Sequence, residues 1–140
     1  MTSQPAFETK IAIIVRDDLA TWQKLNLTAF LASGVTHLAP EAVGDPYADA
    51  DDTLYAPMLG QPVMVFAADG AGLTRGLAQA LQRGIVPAVY TEELFATGND
   101  ADNRAAVAAV GQAELNLVGI AVHGPRRDVD KITKGLALHR

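Results

Sequence analysis

The sequence predicts an α/β domain of three layers, α/β/α, around a mixed sheet of four to five strands. Three observations carry that prediction. Apolar runs of strand length alternate with segments of helical periodicity. Most of the runs are nearly continuous in aliphatic residues, as expected where a sheet is covered on both faces. Glycine or proline marks most of the junctions.

Residues 10–16 form the first expected strand, with Ile11, Ile13, Ile14 and Val15 in one short run. Arg16, Asp17 and Asp18 crowd its C-terminal end, where a sheet that hands over to a helix usually places ligands. Residues 20–33 follow as a helix whose wide apolar stripe (Leu19, Trp22, Leu25, Leu27, Ala29, Phe30, Leu31) predicts extensive burial, with Gly34 as its stop. Residues 35–60 contain Pro40, Gly44, Pro46 and Pro57 and an acidic cluster, so they read as an irregular excursion with short strands near 36–38 and 54–58. Residues 62–68 are the second strong strand, and Asp69-Gly-Ala-Gly72 is its turn. A helix is expected over 74–83 and ends at Gly84. Residues 85–90 make a third strand, Thr91 stands where it can cap the next turn, and a helix begins near Asn99 or Asp100. Residues 115–122 form a last, central strand that His123-Gly-Pro125 breaks, and 128–136 close the chain as a helix. The order is βα, a long loop, then βαβαβα, the alternation of an α/β fold.

Composition narrows the class. The 140 residues are expected to form a single domain, 1–140, with a flexible tail at 1–8. With 49% hydrophobic residues and no cysteine, the core needs no disulfide, and thiolate metal sites and cysteine nucleophiles are excluded. Apolar runs are too short for a membrane span, and no basic segment followed by an apolar one opens the chain, so a cytoplasmic location is expected. The formal charge of −5 opposes nucleic-acid binding, because phosphate neutralisation supplies most of that affinity.

Several polar groups are candidates for chemistry. Lys24, Asn26 and Thr28 lie along the first helix; the lysine can anchor an anion or, if desolvated, act as a base. Solvation of Lys24 and local backbone bonding by Asn26 or Thr28 is an equally weighted alternative. Asp18 can cap that helix, and Arg16 can pair with it. Asn99, Asp100, Asp102 and Asn103 read as a turn and helix cap, whereas Arg104 gains nothing from a helix N-terminus and is expected to hold an ion-pair partner or a ligand. Asp45, Asp49, Asp51 and Asp52 lack the glycine and glutamate of a calcium loop. Gly70-Ala-Gly72-(x)3-Gly76 departs from the dinucleotide spacing and reads as a tight turn entering a helix. His37, His123 and His139 show no zinc spacing, although His123 could share the sheet end of Lys24.

Two resemblances bear on these residues. Lys10-(x)4-Val15-Arg16-x-Asp18-Leu19 with Lys24, and the closing segments Leu117–Pro125 and Val129–Leu136, are similar to the first and last parts of the type II peptidyl-tRNA hydrolases. That resemblance implies a mixed sheet flanked by helices, a homodimer and a site near Lys24. It puts Thr28 where those enzymes carry glutamine, and Tyr90-Thr-Glu-Glu-Leu-Phe95 where they carry Asp-Ala-Gly-x-Thr, so peptidyl-tRNA hydrolysis itself is not expected. Over nearly the whole chain the sequence more closely resembles an uncharacterised bacterial family, domain of unknown function 2000, through Ile13–Leu19, Trp22-Gln-Lys-Leu-Asn26, Gly60-Gln-Pro62, Tyr90–Gly98 and Asn103-Arg104. The resulting expectation is a protein that binds a small anionic or amide-bearing ligand near Lys24. The alternatives are an acyl ester or amide hydrolase and a noncatalytic interaction module. The expected catalytic set is Lys24, Asp18 and Thr28, and the ligand contacts are Arg16, Asn26, Thr91, Asn103 and Arg104. No metal or cofactor is expected.

Overall fold

From the N-terminus, the elements are β1 (Thr9–Arg16), α1 (Thr21–Leu38), β2 (Tyr47–Ala48), β3 (Leu54–Tyr55), β4 (Val63–Ala68), α2 (Gly70–Gln82), β5 (Ala88–Thr91), α3 (Asp100–Ala108), β6 (Leu117–Pro125), α4 (Arg126–Ile132) and β7 (Ala137–Leu138). The structure is a computed structural model that describes residues 7–140. Strand β1 divides its core. Ile11, Ile13 and Val15 face one side of the sheet and Ala12 and Ile14 the other, the alternation that a pleated strand imposes. Leu27, Leu31 and Val35 of α1 cover the first side. Leu73, Leu77 and Ala80 of α2, with Val129 and Ile132 of α4, cover the second. Three layers result, as the sequence predicts.

The sheet order is β5-β6-β1-β4-β7. Only β1 and β4 pair in parallel; β6 runs antiparallel to both β1 and β5, and β7 antiparallel to β4. Strands β1, β4 and β5 therefore all end at the edge where β6 begins, which gathers Arg16, Ala68, Thr91 and Leu117. At that edge Tyr90 faces Gly119 and Thr91 faces Leu117, so Val118 is the extra residue of a bulge in β6.

Several boundaries depart from expectation, each for a local reason. Helix α1 runs through Gly34 to Leu38, replacing the strand expected at 36–38. Gly34 is a contact residue there: a Cβ would lie 2.9 Å from Ala88 Cβ. Pro40 enforces the stop instead, since the residue before a proline avoids helical angles. The expectation of extensive burial for α1 also fails: Trp22 is 59%, Leu25 67% and Phe30 54% exposed, because only one stripe of the helix meets the sheet. Helix α2 starts at Gly70, with Asp69 as its N-cap accepting from the Gly72 N–H at 2.7 Å. It ends as expected at Gly84 (φ +72°), where the Ile85 N–H reaches back to Ala80 O at 3.0 Å in a Schellman motif.

Strand β6 continues through His123 to Pro125 instead of breaking, because Thr9, Lys10 and Ile11 pair with its last three residues. Helix α4 spans Arg126–Ile132, earlier than the expected 128–136; Gly135 (φ +85°) then turns the chain into β7, a strand the sequence reading missed. Of the tail expected at 1–8, positions 1–6 lie outside the described residues. Phe7 and Glu8 are held by Arg126, whose Nε donates to Phe7 O and whose backbone N–H donates to Glu8 O, both at 3.0 Å. No described helix is long and apolar enough to cross a membrane.

Candidate functional site

Arg16 ties together the edge at which β1 ends. Its Nε donates to Asp18 Oδ1 (2.6 Å), Nη1 to Asn116 Oδ1 (3.2 Å) and Nη2 to Glu92 Oε1 (3.1 Å), and Asn116 Nδ2 donates to Glu92 Oε2 (2.8 Å). Burial works against the charge, but Asp18 and Glu92 outweigh it, and the guanidinium pKa is raised. The network links β1, the turn after β5 and the start of β6. All three guanidinium nitrogens are engaged, and Asp18 is bonded to Arg16.

Beyond this edge α1 presents two outward faces. Trp22, Asn26 and Phe30 recur every four residues and share one face. Lys24 and Thr28 lie with Thr21 and Leu25 on the other side of the helix. The residues expected to act together are thus divided by α1.

The first face lines a pocket of about 500 Å³, closed by Tyr90 from β5, Leu94 and Phe95 from the following 3-10 turn, and Thr97 to Asp100 with Asn103 around the start of α3. Tyr90 is the aromatic hub, its ring centroid 5.1 Å from that of Phe95 and 5.7 Å from that of Phe30; Trp22 meets Phe95 edge-on at 5.5 Å. Burial raises the Tyr90 phenol pKa, so the neutral hydroxyl donates to Asn26 Oδ1 at 3.4 Å. Thr97 Oγ1 lies 3.0 Å from Leu94 O and bonds Asn103 Oδ1. Asn99 caps α3 by accepting from the Asp102 N–H at 2.8 Å. The pocket thus has aromatic walls and an amide and hydroxyl rim. Asn26 and Asn103 meet in it; Arg104 pairs with Asp100 on the exposed side of α3. Thr91 is 2% exposed, with its hydroxyl unpartnered beneath the bulge.

The second face borders a cleft of about 510 Å³, lined by Thr21, Lys24, Leu25, Thr28, Val15, Val65, His139 and Arg140. Thr28 donates its hydroxyl within its own helix, to Lys24 O (3.0 Å) or Leu25 O (2.9 Å). His139 is anchored by its backbone N–H to Val65 O (2.8 Å), and its Nε2 is buried without a partner. Among the described residues no Asp or Glu lines this cleft. His123 does not share this end of the sheet: it pairs in register with Ile11 at the opposite end and lines a separate cavity with Arg83 and Asp128. The α2 N-terminus, which a pyrophosphate would need, carries the Asp69 carboxylate. Among the described residues no three His, Asp or Glu side chains converge as metal ligands.

The match to a family model for proteins of unknown function, DUF2000, extends over residues 9–140. The chain belongs to this family. A solved structure of a protein of unknown function from Agrobacterium tumefaciens strain C58 is 46% identical, with a TM-score of 0.93; the match covers 96% of this chain and all of that one. No curated protein matches the chain. In this DUF2000 member, Trp22 and Asn26 of the segment 22–26 and Tyr90, Leu94, Phe95, Thr97 and Gly98 of the segment 90–98 line the aromatic pocket together with Asn103. Sequence reasoning missed Trp22, Phe30, Tyr90 and Phe95 as a group. The available signal was Asn26, a polar residue set between Trp22 and Phe30 on one helical face.

Proposed function

We propose that the protein binds a small molecule in the pocket between α1, β5 and α3, and that the ligand combines a flat, ring-sized apolar group with an amide or hydroxyl edge. The observation that carries this reading is a concentration of aromatic side chains. The chain has one Trp, three Tyr and four Phe, and four of these eight, Trp22, Phe30, Tyr90 and Phe95, line a single pocket. Two of them are more than half exposed, while the fully buried hydrophobic side chains other than Tyr90 are all aliphatic. Exposing large rings in a concave site is costly unless something covers them, and a pocket of this volume with a few convergent polar groups is the usual form of a ligand site. The Asn26 and Asn103 oxygens accept from Tyr90 and Thr97, which leaves their amide N–H groups as donors toward an amide or hydroxyl edge.

Trp22 is the only tryptophan, so its fluorescence reports on this pocket alone. Titration with N-acetylphenylalaninamide and nicotinamide should give a saturable change that is weakened by Asn26→Ala and lost in Phe95→Ala. A flat response to both probes, from a protein whose circular dichroism is native, would overturn the reading.

A second reading rests on the Lys24 cleft. Lys24 and Arg140 would suit a small anion there. Stabilisation by phosphate or citrate in thermal melts, abolished by Lys24→Ala, is the expected outcome under that reading. Hydrolysis by Lys24, Asp18 and Thr28 draws less support, because Asp18 is bonded to Arg16 and the Thr28 hydroxyl to its own helix.

A further inference from the structure

Residues 44–58 leave the body as an arm in which every residue is exposed. The stalk is narrow and fixed. The Gly44 N–H donates to Met58 O at 2.8 Å and the Gly60 N–H to Ala42 O at 2.7 Å; a Cβ on Gly60 would lie 3.3 Å from Gly44 Cα. Beyond the stalk, β2 and β3 pair as a ribbon with Tyr47 opposite Tyr55 and Ala48 opposite Leu54. Asp49 braces the turn, accepting from the N–H groups of Asp51 (2.9 Å) and Thr53 (3.0 Å) and from the Tyr55 hydroxyl (2.7 Å). This is a shaped element, yet a two-stranded ribbon alone is marginal in water. It leaves Tyr47, Leu54, Tyr55 and Met58 between 50% and 77% exposed.

Charge indicates what covers it. The arm carries Asp45, Asp49, Asp51 and Asp52, and no Lys or Arg occurs between Lys24 and Arg75. A complementary surface lies on the same molecule: a groove of about 230 Å³ between α2 and α4, floored by Ile132 and Leu136 and lined by Arg75, Lys131 and Lys134. Lys10, Arg16, Arg83 and Arg104 have carboxylate partners; of the seven Lys and Arg residues without one among the described residues, these three line a single groove. We propose that the 44–58 arm of one molecule docks in the α2–α4 groove of a second copy, giving a two-fold dimer in which each subunit lends an arm and receives one. A two-fold axis uses both patches twice, so neither is left exposed and the assembly closes. Apolar side chains at the centre of the contact would supply affinity, and the charges would fix its register.

Light scattering coupled to size exclusion, with sedimentation on the full chain, tests this. The wild type should be a dimer at micromolar concentration. Leu54→Asp with Met58→Asp should raise the dimer dissociation constant by roughly 30-fold or more, as expected for losing buried anchors. Lys131→Glu with Lys134→Glu should do the same, and adding Asp45→Lys and Asp51→Lys to that variant should restore the dimer. A monomeric wild type, arm variants that stay dimeric, or charge reversal without rescue would each overturn the proposal. Melting curves establish that each variant is folded. The Trp22 titration is independent of all of them, so failure here leaves the ligand reading standing.

Discussion

A methyl group at position 119 would fall 2.6 Å from Leu27 Cδ1 and 2.9 Å from Leu31 Cδ1, with Ile14 O at 3.3 Å. The backbone oxygen cannot retreat, so Gly119→Ala should cost about 1–3 kcal/mol in urea denaturation, the range for overpacking a filled core. Leu27, fully buried on the other side of that contact, should lose about 2–5 kcal/mol as Leu27→Ala, because a cavity replaces it. Thr91 provides the opposite case. Its hydroxyl is buried without a partner, so Thr91→Val keeps the shape and removes an unsatisfied group. The variant should match or exceed the wild type by up to about 1 kcal/mol. A loss of that size instead would reveal a partner for the hydroxyl, such as a bound water.

Among the elements, the arm has its own pH response. Hydrogen bonds from Tyr55 and then Thr53 hold the Asp49 carboxyl below its ordinary value of 3.8. A depressed carboxylate contributes stability above the unfolded value and loses it as pH falls through the lower, folded one. The ribbon should therefore be ordered at neutral pH and loosen below pH 3.8, with tyrosine signals from 47 and 55 moving before the main transition. Asp49→Asn should shift or remove that response.

Elements with strong periodicity were legible in advance: β1, β4 and the core of β6 follow from their aliphatic runs, and the α2 stop from Gly84. What misled was glycine and aromatic content. Gly34 looked like a cap because its tertiary role, admitting Ala88, leaves no local trace. The apolar stripe of α1 looked like core because sequence does not reveal how much of a helix a sheet covers. Strand β7 is two residues long and depends on the Gly135 turn and the edge of β4, neither of which has a periodic signal. The candidate site was partly legible. Asn26 and Asn103, both expected as ligand contacts, line the same pocket, whereas Lys24 and Thr28 lie across the helix from it.

For the molecule as a whole, net charge and edge chemistry bear on the hydrolase resemblance. A body of charge −5, with Asp18 held by Arg16 and the Thr28 hydroxyl bonded within α1, should leave peptidyl-tRNA intact in a peptide-release assay. Turnover that Lys24→Ala abolishes in a folded protein would refute this.

Helix α1 is also a wall common to two spaces, with Trp22, Asn26 and Phe30 facing the pocket and Lys24 and Thr28 facing the cleft. The glycines at 34 and 119 seat it directly on the sheet, which leaves it little room to move inward. An occupant of one space that shifted the helix would change the fit of an occupant in the other. By thermodynamic reciprocity, whatever factor one occupant imposes on the second, the second must return.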